Sequence, residues 1–247
     1  MSKWRVISVI CFFSSLFSSG QSELISERPG QALSPNCIDK GSIQIQSGLD
    51  FMKYKSKGFI AKDSIQTFLK NTQNTVVRFG LGKKFEINSG IIYSGTYSTF
   101  QSPIIGFKAS VFDNNKNEVS IQYNTTVHLL SDEMFRNSVK IISSHSFTDN
   151  FGLGINGGID FLPESEELLA DYVISLSFNP LKKIGIVLES YGNYTNEFKS
   201  YWDLGFGYLI TPLLQIDTYF GGRNAPEELD LFISGGFTYR LDYANNE

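Results

Sequence analysis

Between Val119 and Leu129 the chain alternates without a break. Val119, Ile121, Tyr123, Thr125, Val127 and Leu129 share one face, and Ser120, Gln122, Asn124, Thr126 and His128 the other. A period of two is the period of a strand. About twelve such stretches recur, joined in turn by tight polar turns and by longer acidic or glycine-rich links, and this reads as an all-β, antiparallel transmembrane β-barrel.

A soluble barrel or sandwich also alternates, so the period alone does not say which face meets lipid. Composition argues for the membrane. The exposed face of a soluble sheet is rich in Lys and Glu, whereas these polar faces carry mostly Gly, Ser, Thr, Asn and Gln. Charged residues are 19% of the chain, against a usual ~25%. After the N-terminus no segment holds the roughly 20 consecutive apolar residues of a helical span. A net charge of −4 argues against nucleic acid as a partner.

The N-terminus points to export. Lys3 and Arg5 precede the apolar run Val6 to Phe17, followed by the small residues Ser18, Ser19 and Gly20. Residues 1–20 therefore read as a signal peptide cleaved near Gln21. Cys11 lies inside that run, which argues against lipidation, and Cys37 is left alone in the mature chain, without a disulfide framework or zinc cluster. Residues 21–41, with Glu27-Arg28-Pro29-Gly30 and Leu33-Ser34-Pro35, show no strand pattern and are expected either to lie in the periplasm or to enter the lumen. The barrel is expected over residues 42–241 and a tail over 242–247.

The first strand, Ser42 to Tyr54, puts Ile43, Ile45, Leu49 and Phe51 opposite Gln44, Gln46, Gly48 and Asp50. Tight turns are expected at Gly82-Lys83-Lys84, Asp113 to Asn117, Thr148-Asp149-Asn150, Asn179 to Lys182 and Thr211-Pro212. Longer links are expected at Lys55 to Asn71, Ser131 to Arg136, Pro163 to Leu169, Asn193 to Lys199 and Arg223 to Glu228. An even strand count with short turns on one side and long loops on the other is the asymmetry of bacterial outer-membrane barrels. Tyr93, Tyr97, Phe100, Phe147, Tyr172, Phe178, Tyr191, Trp202 and Tyr239 suit interfacial girdles, or are ordinary strand formers.

Several stretches carry a resemblance by their order: Glu27-Arg28-Pro29-Gly30-Gln31, Lys40-Gly41-Ser42-Ile43-Gln44-Ile45-Gln46-Ser47-Gly48, Val77-Arg78-Phe79-Gly80-Leu81, Gly205 to Asp217 and Phe232 to Arg240. The chain resembles the MetA-pathway-of-phenol-degradation family of outer-membrane transporters over nearly all of its mature length. The resemblance implies a barrel in the outer membrane of a Gram-negative bacterium that passes small solutes, hydrophobic ones among them. Ser234, Gly236, Tyr239 and Leu241 fit the spacing of a barrel-assembly signal, so outer-membrane lipid and the barrel-assembly machinery are the expected partners, beside an unspecified small solute.

With the apolar faces outward, the lumen receives Asp50, Arg78, Glu86, Lys108, Asp160, Glu189, Asp203, Asp217 and Arg240. Both signs are present, so these side chains either form cross-lumen ion pairs or line a solute pathway, and the two roles are compatible. Glu27 and Arg28 stand just before the first strand, where the chain either folds back as a partial plug or stays a periplasmic leader. Glu27, Arg28, Arg78 and Asp217 are the favoured pathway residues.

Gly152-Leu153-Gly154-Ile155-Asn156-Gly157 matches a dinucleotide fingerprint in letters, but it sits inside an alternating strand rather than between a strand and a helix. Catalysis would have to use His128 or His145. Neither has a Gly-x-Ser-x-Gly elbow or a metal-ligand cluster beside it. No enzyme activity, cofactor or metal is therefore expected. The functional expectation is passive passage through a narrow polar lumen. The alternatives are a structural or adhesive barrel acting through its loops, and a lipid-modifying enzyme using His128.

Overall fold

The structure, a computed structural model, describes residue 24 and residues 26–57, 65–95, 99–127, 135–162, 167–223 and 231–242. Twelve strands follow one another: β1 (Ser42–Lys57), β2 (Ile65–Gly82), β3 (Phe85–Ser94), β4 (Thr99–Asp113), β5 (Asn117–Val127), β6 (Phe135–Thr148), β7 (Phe151–Leu162), β8 (Glu167–Leu181), β9 (Ile184–Tyr194), β10 (Phe198–Thr211), β11 (Leu214–Arg223) and β12 (Leu231–Asp242). Each pairs antiparallel with its neighbours in the chain, and β1 pairs with β12 from Ser42↔Asp242 to Lys53↔Leu231, which closes the barrel. Closure leaves no strand edge in lipid, where an unpaired backbone group would be costly.

The barrel is polar inside and apolar outside. Arg78, Lys108 and Arg240 are fully buried, together with Gln44, Glu86 and Asp203, while Ile105, Phe107, Ile141, Ile155, Leu188, Ile216 and Phe237 lie exposed on the outer face. A soluble domain shows the reverse. Outward apolar rows meeting hydrocarbon explain both the composition and the alternation.

At one end the strands are joined by two or three residues and at the other by three to seven. The short end faces the periplasm in outer-membrane barrels. Its turns are built locally. Asn114 Oδ1 accepts the backbone N–H groups of Lys116 (3.2 Å) and Asn117 (2.7 Å), and Asn115 takes φ 66°, a conformation asparagine tolerates.

The loop end departs from the sequence reading. β1 and β2 stay paired as far as Lys57↔Ile65, and β9 and β10 as far as Tyr194↔Phe198. The links read at Lys55 to Asn71 and at Asn193 to Lys199 are therefore much shorter. Above the lipid both strand faces are wet, so apolar alternation stops while the backbone ladder continues. Asp242 belongs to β12 rather than to a tail, and Ser42 Oγ donates to its carboxylate at 2.6 Å. Residues 1–20, where a signal peptide is expected, together with Tyr97, His128, most of the long loops and residues 243–247, lie outside the described residues.

Candidate functional site

Residues 26–41 form no strand, yet they lie inside the barrel and walk around its wall. Ser26 meets Thr238 of β12 (2.8 Å). Arg28 reaches Asp217 of β11, with Nε–Oδ1 at 3.0 Å, and Ser234 of β12 at 3.2 Å. Pro29 packs against Gly205 and Gly207 of β10, where a Cβ on either glycine would lie within 3.3 Å of the proline ring. Close backbone approach is what strand glycines permit.

The walk then continues in the same direction. Gln31 and Ala32 donate backbone N–H groups to Glu189 of β9. Leu33 N–H donates to Asn156 Oδ1 of β7 (2.8 Å), whose amide returns a bond to the Leu33 carbonyl (3.3 Å). Asn36 donates to Glu118 of β5 (2.9 Å), and Ile38 N–H to Glu86 of β3 (3.0 Å). Gly41 N–H ends on the Gly80 carbonyl of β2 (2.9 Å), after which β1 begins. The segment is thus a ring fastened to strand after strand, mostly in the short-turn half of the lumen. Without a sheet ladder of its own, it satisfies its backbone on lumen side chains.

Glu27 points across the ring and closes it. Its carboxylate lies 2.8 Å from Lys108 Nζ and 3.6 Å from Arg78, and Glu86 pairs with the same two cations. Arg78 holds Glu86 through two bonds, at 2.8 and 2.7 Å, the strong bidentate form. Two carboxylates and two cations leave this buried cluster neutral, which is how charges persist away from water. Burial works against the charge on Glu27, but Arg78 and Lys108 outweigh it and hold the carboxyl below its ordinary value of 4.5. Burial likewise pushes the Cys37 thiol up, away from reactive thiolate character.

Above the ring, toward the loop end, the lumen opens into a cavity of about 380 Å³. Gln31 of the ring contributes to its lining, with Tyr191, Asn193, Tyr201, Tyr219 and Phe232 on one side and Asp50, Met52, Lys70, Thr72 and Asn74 on the other. Tyr191 and Tyr201 are direct cross-strand partners, stacked at 5.4 Å between ring centroids. Tyr219 stands edge-on to Phe232 at 5.6 Å, donates its hydroxyl to Asp50 at 3.3 Å, and has the Arg28 guanidinium 5.3 Å from its ring centroid. A second, more open hollow of about 560 Å³ lies at the loop-end rim, where Phe51, Leu69, Leu231 and Ile233 belong to the exposed outer surface.

The structure divides the residues singled out from sequence between these two regions. Glu27, Arg28, Arg78, Glu86, Lys108 and Asp217 meet in and around the ring; Asp50 lines the cavity. Glu189 and Asp203 pair across β9 and β10 just beneath the stacked tyrosines. Asp160 binds Arg136 (2.8 Å), and Arg240 binds Asp242 (3.0 Å). Tyr191 is corrected: it faces the cavity rather than an outer girdle, because it shares the inward parity of Glu189.

Sequence reasoning overlooked Tyr201, Tyr219, Asn156 and the Lys140–Asp171 pair at 2.9 Å. Their parity was available: Tyr201 alternates with outward Trp202 and Asn156 with outward Ile155. Gln31 lies in an irregular stretch with no parity to place it at the cavity. His145 sits near a turn, edge-on to Phe147 at 4.7 Å and bonded to Asn117. The glycines of the dinucleotide-like string lie within β7, where Gly152 faces Ser177.

Residues 26–241, from the first residue of the ring to the end of the barrel, match a family model described as "Putative MetA-pathway of phenol degradation". The chain belongs to this family. Solved outer-membrane barrels share its architecture at low identity. A KdgM porin superposes with a TM-score of 0.59 at 8% identity, over 78% of this chain and 98% of its own. An outer-membrane channel from Pseudomonas putida F1 gives 0.57 at 9% identity, over 87% and 100%. A mutant of the TodX monoaromatic hydrocarbon channel gives 0.53 at 7% identity, over 84% and 91%. At such identities the likeness is one of fold. No curated protein matches the chain. This family member is an outer-membrane β-barrel.

Proposed function

We propose that this barrel admits a small solute from outside the cell into the aromatic cavity and that the ring of residues 26–41 governs its onward passage to the periplasm. The observation that carries the reading is the cavity itself. It sits over the ring, offers π-faces from Tyr191, Tyr201, Tyr219 and Phe232, and surrounds them with a few polar groups, the make-up of a site for a small, partly apolar molecule. Twelve strands enclose less space than the 16 to 18 of general porins, which favours selective passage. Asp50, Lys70 and the ring anchors Glu27, Arg28, Arg78 and Asp217 would line the route.

The reading includes export by the N-terminal signal in a Gram-negative cell, insertion by the barrel-assembly machinery, and passage without catalysis or energy coupling. Purified protein in planar bilayers and in liposomes loaded with small aromatic or saccharide solutes tests it. The expected result is small, discrete conductance with faster entry of the aromatic solutes. Absence of both conductance and flux would overturn it in favour of a structural or adhesive barrel.

A further inference from the structure

The carboxylates of the lumen follow a rule. Glu27 and Glu86 pair with Arg78 and Lys108, Asp217 with Arg28, Asp160 with Arg136, Asp171 with Lys140 and Asp242 with Arg240. Asp50 and Glu118, which lack such an ion pair among the described residues, are held by neutral donors: Thr72, Asn74 and Tyr219 for the first, Asn36 and Ser144 for the second.

Glu189 and Asp203 break the rule. They face each other as direct partners on β9 and β10, at 2% and 0% exposure, and the charge of one acts directly on the other. Among the described residues, no Lys or Arg forms an ion pair with either of them. Glu189 at least accepts the Gln31 and Ala32 N–H groups. Asp203 has no donor among the described residues: its two oxygens are fully buried, and the polar group that meets them is the Glu189 carboxyl itself.

An uncompensated buried carboxylate is among the most costly groups a protein can hold, and two side by side repel each other. A positive charge between them removes both penalties. From this arrangement we infer that Glu189 and Asp203 form a binding site for a hard divalent cation of the calcium class. The Asp203 oxygens supply free lone pairs, Glu189 adds its own, and water and backbone oxygens complete the shell that such ions require. Two side-chain ligands place the affinity at roughly 10⁻⁴–10⁻³ M, the range of calcium sites that face extracellular fluid. Because Glu189 also fastens Gln31 and Ala32, the bound ion ties the middle of the ring to the wall.

Terbium(III), a luminescent stand-in for Ca²⁺, reads this site directly, since Tyr191 and Tyr201 lie on the adjacent rung and sensitise its emission. Chelator-treated protein in detergent is titrated with Tb³⁺, then with Ca²⁺ as competitor. One saturable, Ca²⁺-displaceable site is expected, weakened roughly tenfold or more in Asp203→Asn. Added Ca²⁺ is also expected to raise the melting temperature of the wild type but not of that variant. Absence of saturable emission, or equal affinity in Asp203→Asn, overturns the inference. Should that variant fail to fold, Tyr191→Phe/Tyr201→Phe decides: loss of most sensitised emission supports the site, and unchanged emission overturns it. None of these readings depends on solute flux, so they stand or fall apart from the transport proposal.

Discussion

The two halves of the lumen solve the problem of buried polarity in opposite ways. In the short-turn half the ring runs along the wall, and its backbone groups and charges meet Asp217, Glu189, Asn156, Glu118 and Glu86. In the loop half aromatic faces from β9 to β12 line an open cavity, while the ion pairs Arg136–Asp160 and Lys140–Asp171 stand on β6 to β8. The first arrangement favours a closed state and the second a resident solute. The difference teaches that a lumen full of charge need not be a charged conduit: here much of the charge holds a segment of the chain in place.

The largest effect that would break this contrast is removal of Glu27. Glu27→Ala leaves Arg78 and Lys108 sharing one carboxylate, and taking one partner from a buried pair costs about 3–5 kcal/mol. That is a hundredfold or greater shift toward an undocked ring, read as a rise in open-channel time in planar bilayers and as cleavage within residues 26–41 by added protease. Unchanged conductance would mean that the ring does not close the lumen.

Acid should do the same more gently. Glu27 is held below its ordinary value of 4.5, so its contribution is complete above that value and is lost as pH falls through the lower value of the folded state. Conductance is expected to rise as pH drops below 4.5, and Glu27→Gln is expected to abolish that rise. A pH response that survives the substitution would assign the effect to other carboxylates.

Asp217→Asn is smaller again. It strips the charge from the Arg28 anchor but keeps a hydrogen-bond acceptor, a loss of about 1.5–3 kcal/mol, and an increase in open time of roughly ten- to a hundredfold follows. The smallest effect belongs to the open half. Tyr201→Ala removes one ring of the stacked pair, worth about 0.5–1.5 kcal/mol. A few-fold drop in uptake of aromatic solutes is expected in liposomes, with single-channel closure unchanged. If closure changed as well, the two halves would not be separable.

Much of this was legible beforehand, because lipid imposes a simple code. Outward positions of a barrel strand must be apolar, so Ile121, Ile155 and Phe206 announced their face, and Arg78, Glu86, Lys108 and Asp217 were placed inside by parity alone. Parity also put Tyr191 inside, where a preference for aromatic girdles had moved it out. The shortened outer links were harder, since Lys55 and Asn71 sit where both faces are wet and alternation carries no information.

Residues 26–41 mark the limit. Glu27 and Arg28 suggested a plug through their charge, yet nothing in Gln31, Leu33 or Ile38 declares that their backbone N–H groups would end on Glu189, Asn156 and Glu86. The sequence by itself determined the strand number, the closed antiparallel barrel and which side chains face inward, because each follows from a local period of two and the exclusion of polar groups from lipid. Only the tertiary structure decided that residues 26–41 ring the short-turn half, that four aromatics gather above them, and that Glu189 meets Asp203 with no Lys or Arg of the described residues paired to either. Those outcomes depend on strands brought together by closure and on an irregular segment whose hydrogen bonds have no local partner, so no periodicity along the chain encodes them.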